Sequence, residues 1–527
     1  MTANTVYFLL PEIVVIATAV VIYLAGAFFH TQRGWNWMAL LGTVAAAAVL
    51  AIQSGQPTPA VGRLYADGLV AYTRWLALGL AGLYVLLSFR PLESGGTPEA
   101  LGSLLLTIAG TMLVASSQDL VMLFVSLELV SIPTYILLYL GRRDALNQEA
   151  AAKYFYLSVL ASAIFLYGLS FLYGVGGSTN LKEISIAFSA PGLSPPAFAP
   201  LAKLALLLIF AGLAFRLAAV PFHFYAPDVY QGTTHANAAL LSVIPKLAAL
   251  AALGRLVGAV MPGLEDLAWK IALILSLLTM TLGNVVALWQ DHLRRLMAYS
   301  SIAHAGYLLI GLAVAFAEGK SSSGSFNGWG AVFFYLCVYA AATIGVFAVF
   351  ERLGGPRSVE GLDELAGLGR TRPAAAALLA LFLFSLTGIP PLAGFWGKLQ
   401  IFAAALSVKV GPGGSSDLGF WFLALAVIGV LNAAIAAAYY LRIIGVMYFR
   451  TPLGIPRSEG GSGAFLAAVA CAVVIIVFSV QPGPLLRASD QARPTCQTEN
   501  EKPKRLAADG TSAQELAGKL GRRAGGR

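Results

Sequence analysis

The chain has 527 residues, 58% of them apolar and 11% charged, with a formal net charge of +9. That balance excludes a soluble domain and defines a polytopic membrane protein. Cys337, Cys471 and Cys496 form no CxxC or Cys/His pattern, and neither a Walker lysine loop nor a GxGxxG after a strand occurs, which argues against metal, haem, iron–sulfur and nucleotide chemistry here.

Apolar runs long enough to cross a bilayer number about fourteen. The first five lie near 6–29, 37–52, 69–89, 101–115 and 120–140. Five more follow near 150–174, 201–221, 236–260, 269–289 and 296–316, and the last four near 331–350, 374–405, 420–448 and 464–480. The first run contains Pro11 and Glu12, has no basic flank before it and exceeds a signal-peptide core, so it is read as a retained span. Beyond Pro484 the chain turns polar and Gly/Ala-rich, which suits a disordered tail or a short surface segment.

Loops after odd-numbered spans carry the denser basic residues: Arg33, Arg90, Arg142 and Arg143, Arg294 and Arg295, then Arg352 to Arg372, then Arg450 and Arg457. Loops after even-numbered spans offer mainly Arg63, Lys182, Lys320 and Lys409. The positive-inside rule therefore places the odd loops in the cytoplasm and both termini outside, which also explains the net charge without a nucleic-acid partner. The basic tail, from Lys502 to Arg523, disagrees with that placement.

Two stretches match without a gap: Tyr154-Phe-Tyr-Leu-Ser-Val-Leu-Ala-Ser-Ala in the sixth span and Phe333-Phe-Tyr-Leu-Cys-Val-Tyr-Ala-Ala-Ala in the eleventh. Proline interrupts the seventh span at Val220-Pro221 and the twelfth at Ile389-Pro390-Pro391. Units of five spans, each odd in number, enter the membrane from opposite sides, so the expectation is two inverted five-helix repeats with broken helices 7 and 12. The divisions are then residues 1–100 for three N-terminal helices, 101–260 and 261–450 for the repeats, 451–484 for helix 14 and 485–527 for the tail. Chance similarity between apolar aromatic helices is the competing explanation.

Ionisable residues inside spans mark a pathway for ions or substrate. Glu128 lies mid-span with Pro133 following, and needs a cation or water nearby. Lys153 is a candidate partner for it, or else a snorkelling lysine beside Glu149. Lys246, behind Pro245, and Lys398, after the second break, lie too deep to snorkel easily, and a buried amine suits proton transfer. Arg216 stands at the first break. His223 and His304 are candidate relays or hydrogen-bonded packing residues, whereas His30, His235 and His292 read as loop or interface residues, and Asp228 as a cap or turn.

Together SLELVSIPTY, AAKYF, VPFHFYAPDVYQG, RRLMAYSSIAHAGYLLIGL and SLTGIPPLAGFWGK, spanning about residues 100–450, resemble subunit N of the bacterial proton-translocating NADH:quinone oxidoreductase, respiratory complex I. The resemblance implies an all-α membrane subunit of the inner membrane, fourteen helices in the antiporter-like arrangement, other membrane subunits as partners, and no cofactor in this chain. NAD, FMN, iron–sulfur clusters and quinone belong by that resemblance to other subunits. It assigns the proton path to Glu128, Lys153, Lys246 and Lys398. One departure stands out: the family has lysine at Arg216, and a guanidinium keeps its proton at any accessible pH. Either the path bypasses Arg216, which then acts as a fixed charge, or the subunit mainly couples others, or pumping through it is lost; the first is favoured. Lys203 could supply a replacement amine but reads as a snorkelling residue. The same fold serves multisubunit cation/proton antiporters and membrane-bound hydrogenases, which remain the alternative, as does a non-conducting structural subunit.

Overall fold

The computed structural model describes residues 3–29, 34–54, 64–89, 96–189, 199–258, 260–261, 263–317, 327–354, 359–408, 417–452 and 461–494. His30, Cys496, the basic loop residues Arg33, Arg63, Arg90, Lys320, Arg357, Lys409 and Arg457, and the tail beyond residue 494 lie outside the described residues. The described residues are helical, with isolated bridges in place of strands.

A short α1 (Ala3–Phe8) precedes three spans, α2 (Leu10–Phe28), α3 (Trp35–Ser54) and α4 (Gly68–Leu87). Next come α5 (Thr97–Ser116), α6 (Leu120–Gly141), α7 (Ala145–Gly176), a short α8 (Leu181–Ser189) and α9 (Ala199–Leu217). After a break, α10 (Tyr225–Gly232) completes the seventh crossing, and α11 (His235–Leu253) runs on as a π-turn to Gly258. The second half comprises α12 (Glu265–Ala287), α13 (Leu293–Ala317), α14 (Gly328–Gly354), a single turn α15 (Leu368–Thr371), α16 (Pro373–Thr387), α17 (Ala393–Ser407), α18 (Asp417–Phe449) and α19 (Ser462–Val480). Among the described residues thirteen helices are long and apolar enough to cross a membrane. The pair α16 and α17 supplies the fourteenth crossing, broken as the prolines predict. Side-chain oxygens start several helices: Asp67 accepts from Val70 N, Asp119 from Val121 N, Asp144 from Asn147 N and Thr234 from Asn237 N.

Contacts between loops sort them into two ends. At one end Arg142 and Arg294 both reach Glu360, at 3.5 and 2.7 Å, and a bridge pairs His292 with Gly361. These residues follow spans five, nine and eleven. At the other end Arg255 forks onto Asp67 with two contacts of 2.6 Å, and bridges pair Leu64 with Ser117 and Asp119 with Asn180. These follow spans two, four, six and eight. The alternation required by fourteen crossings is therefore present in the contacts. The first residues assigned to the tail form a helix, α20 (Gly483–Gln491), which returns to this second end: Gln491 stands against Gly68, and Asp490 against Gly330. An even number of spans demands that position.

Helices α11, α13 and α14 are enclosed by protein along nearly their whole length, whereas α2, α3 and α18 turn large apolar side chains outward. Both breaks sit beside this enclosed trio. Each first half ends in a left-handed residue, Ala218 (φ 55) after α9 and Gly388 (φ 89) after α16. Val220–Pro221 and Pro390–Pro391 are cis. Glycine meets the left-handed requirement without a Cβ, but alanine does not. Past the second break the chain approaches itself so closely that a Cβ on Gly394 would lie 1.7 Å from the Ser385 carbonyl oxygen. Ala218→Gly is accordingly expected to stabilise the protein by about 1 kcal/mol, raising the thermal midpoint of the purified protein in detergent. A lowered midpoint would contradict the strain assigned to Ala218.

Candidate functional site

The two breaks flank a buried polar row. Its first member is an ion pair. Arg216, in the last turn of α9, is 5% exposed and donates to Glu128 Oε1 at 3.2 Å. It also donates to Ser131 Oγ at 2.5 Å, to the Leu127 carbonyl and to Ser162 Oγ, both at 3.3 Å, while Ser162 donates to Glu128 at 2.6 Å. The two charges are thereby matched, with Glu128 Oε1 accepting from both Arg216 and Ser162.

Lys246 lies at the centre, on α11. Its Nζ donates to the Ser242 carbonyl at 3.2 Å and to Ser301 Oγ, and stands 5.7 Å from the Tyr339 ring centre. Ser301 in turn accepts from Tyr339 OH at 2.9 Å and shares a 3.3 Å hydrogen bond with Tyr230 OH. One turn along α13, His304 places Nδ1 2.5 Å from Tyr335 OH and Nε2 3.0 Å from Tyr440 OH, and Tyr440 bonds Ser300. The ring of His304 lies 4.8 Å from that of Tyr339, so the lysine and the histidine share a neighbour.

Lys398 closes the row. Helix α16 ends at the break, leaving carbonyls of its last turn without amide partners. Lys398 reaches back from α17 and donates to two of them, Leu386 O at 2.9 Å and Thr387 O at 2.8 Å. A cation at a helix C-terminus also meets the negative end of the helix dipole. The ammonium stands 5.0 Å from the Tyr307 ring centre, and Tyr307 OH accepts from Asn284, which accepts from Tyr439. Among the described residues neither Lys246 nor Lys398 has a carboxylate partner; their partners are hydroxyls and carbonyls.

Glu128, Arg216, Lys246, His304 and Lys398 thus come together in the core. Lys153 does not join them. The expected Lys153–Glu128 pair is absent: Arg216 takes the carboxylate, and Lys153, 40% exposed, pairs with Glu149 at 2.6 Å and Asp228 at 2.9 Å. Asp228 is no cap. It sits within α10 and joins Lys153 to Arg295, the latter at 2.7 Å. His223 is half-buried beside the Pro221 backbone at the first break, and among the described residues no hydrogen bond links it to the row. Lys203 is exposed in the first turn of α9 and offers no replacement for Arg216. His235 is buried, at 3% exposure, and His292 is half-buried in its loop. The row's serines and tyrosines were not singled out from sequence, although Ser300, Ser301 and His304 share a face of one helix, as do Tyr335 and Tyr339 on another.

Enclosed amines beside two broken helices define a class of membrane protein, and similarity to known proteins agrees: the family model for NADH:quinone oxidoreductase/Mrp antiporter transmembrane proteins matches residues 117–413. "NADH-quinone oxidoreductase subunit N" of Rhodospirillum rubrum is 35% identical over 92% of this chain and 96% of its own length, and that of Desulfovibrio desulfuricans is 36% identical over 91% and 95%. The chain belongs to this subunit N family. In the respiratory complex I of Thermus thermophilus with bound aureothin, one chain is 33% identical and superposes with a TM-score of 0.74, covering 90% of this chain and 98% of that one. A chain of the Mrp complex from Dietzia shares the fold at 21% identity, with a TM-score of 0.73.

Removing one member of the Arg216–Glu128 pair leaves the other uncompensated. Arg216→Met is expected to destabilise the folded protein by about 3 kcal/mol, at the lower end of the range for broken buried pairs because the Glu128 side chain is 21% exposed. The double variant Glu128→Gln/Arg216→Met should recover more than half of that loss in a thermal-unfolding cycle. Additive losses would show that the two residues act independently.

Proposed function

We propose that the chain is the proton-translocating subunit N of an NADH:quinone oxidoreductase in a bacterial inner membrane. Electron transfer from NADH to quinone, with its flavin and iron–sulfur clusters, then belongs to other subunits, and the neighbouring membrane subunits are the partners. The subunit N relatives and the 33% identical chain of a complex I structure support this reading. The observation that carries it is the pairing of Lys246 and Lys398 with neutral groups. An amine bound to a carboxylate is held charged, whereas one bound to a hydroxyl keeps a hydrogen bond in either protonation state, because the hydroxyl both donates and accepts. Such a residue can receive a proton and release it.

On this reading Lys246 takes a proton through Ser301 and Tyr230, and the Tyr339, His304 and Tyr335 groups carry it toward Lys398, from which it leaves the membrane. Arg216 and Glu128 supply a fixed pair whose field biases Lys246, and the path bypasses them. Lys153 acts at the surface with Asp228 and Arg295, and His223 lines the first break. The chain is divided into two inverted five-helix units, 101–260 and 261–450, so that each break opens toward a different face.

In the assembled complex reconstituted into proteoliposomes, Lys246→Ala is expected to reduce NADH-driven proton uptake by an order of magnitude or more while the subunit composition stays intact. Unchanged pumping per electron transferred would refute the assignment.

A further inference from the structure

Among the buried titratable groups that the mechanism above leaves unused is a histidine. His235 opens α11 at the end of the bundle that carries Arg142, Arg294 and Glu360, with 3% of its surface exposed. Neither of its ring nitrogens has a hydrogen-bond partner among the described residues, and the same holds for Nδ1 of His292. Buried nitrogens of this kind are satisfied in folded proteins by protein or by bound water, and a polar pocket is the setting in which buried water is found. The charged groups that reach His235 are Arg294, Arg142 and His292. Glu360 engages all three, at 2.7 Å, 3.5 Å and 4.0 Å respectively, and Asp144 pairs with Arg142 at 2.8 Å, so two carboxylates match the two guanidiniums of the cluster. From α14 it meets the rings of Phe347 and Phe350, at 6.4 and 5.8 Å between centres, and its Nε2 lies beside Gly354.

Phe347 is the link inward. Its ring centre is 6.4 Å from that of Tyr230 as well as from that of His235, so one apolar ring stands between the two. Beyond it the contacts are continuous hydrogen bonds, from Tyr230 OH to Ser301 Oγ at 3.3 Å and from Ser301 to Lys246 Nζ.

We propose that His235 is a proton-relay residue that takes protons from Glu360 and His292 at the membrane surface and delivers them past Phe347 to Tyr230, Ser301 and Lys246. The proposal rests on the proton-translocating reading of Lys246. Each step exchanges one proton between O–H and N–H groups. A proton from solution, drawn to the Glu360 carboxylate, passes to His292 Nε2, His292 Nδ1 releases one through water to His235, and the second nitrogen of His235 releases one through water to Tyr230. The Tyr230 and Ser301 hydroxyls each accept one proton while giving up their own, and the Lys246 amine binds the last. Histidine suits the position because its two nitrogens accept and release on opposite sides of one ring.

The test compares His235→Gln with Lys246→Ala and the unaltered protein, each in the assembled complex in proteoliposomes, by the rate of NADH-driven proton uptake from about pH 6 to about pH 9. His235→Gln is expected to lose about tenfold in rate on the alkaline side, where proton delivery from solution is slowest, and little on the acid side. If Lys246→Ala abolishes uptake while His235→Gln has an unaltered profile, or one lowered equally at every pH, the relay is overturned and the translocating reading stands. If Lys246→Ala leaves uptake intact, both fall. Should His235→Gln fail to assemble, the surface variant His292→Gln tests the same route: the alkaline loss supports it, and a flat profile overturns it.

Discussion

A charge inside an apolar bundle must be matched by polar atoms that the surrounding backbone and side chains can spare. An intact helix spares only the second lone pair of carbonyls already bonded, whereas a broken one releases whole carbonyls in its last turn. Lys398 occupies that opportunity at the end of α16, and the enclosed helices α11, α13 and α14 keep lipid away from the opening. The prolines, the left-handed Gly388 and the close approach at Gly394 all serve one requirement, which is to stop a helix inside the membrane without exposing its end to lipid.

The first break answers the same requirement in another way. There the cation is a guanidinium, and it binds a carboxylate, two hydroxyls and a carbonyl at once. Such a pair is costly to desolvate and more costly to split. It acts as a permanent dipole, whereas Lys246 and Lys398 are held by neutral groups. The two ends of the row are therefore unequal, although the helices around them are broken in corresponding places.

Much of this was legible in the sequence because its cause is local. Span lengths, the two proline breaks and the depth of Lys246 and Lys398 follow from hydropathy and from residues that cannot continue a helix. What could not be read depends on rotation of one helix against another. Lys153 is two turns into α7, and only the packed structure shows that it faces Asp228 of α10 and not Glu128 of α6. His235 reads as a loop residue because it borders a polar turn, yet it is buried against Phe347 and Phe350 of α14. Ser301, Tyr335, Tyr339 and Tyr440 carry no signature in a chain with 20 tyrosines. They matter because three helices gather these hydroxyls around one lysine and one histidine.

The hydroxyl row has a further property. Serine and tyrosine hydroxyls can each donate or accept, so the hydrogen bonds of Tyr230 with Ser301 and of Tyr440 with Ser300 and His304 can run in either sense. The interior of the row therefore sets no direction of its own. Any asymmetry has to come from the groups at its ends, a neutral ion pair of Arg216 and Glu128 at one break and the bare carbonyls of α16 around Lys398 at the other.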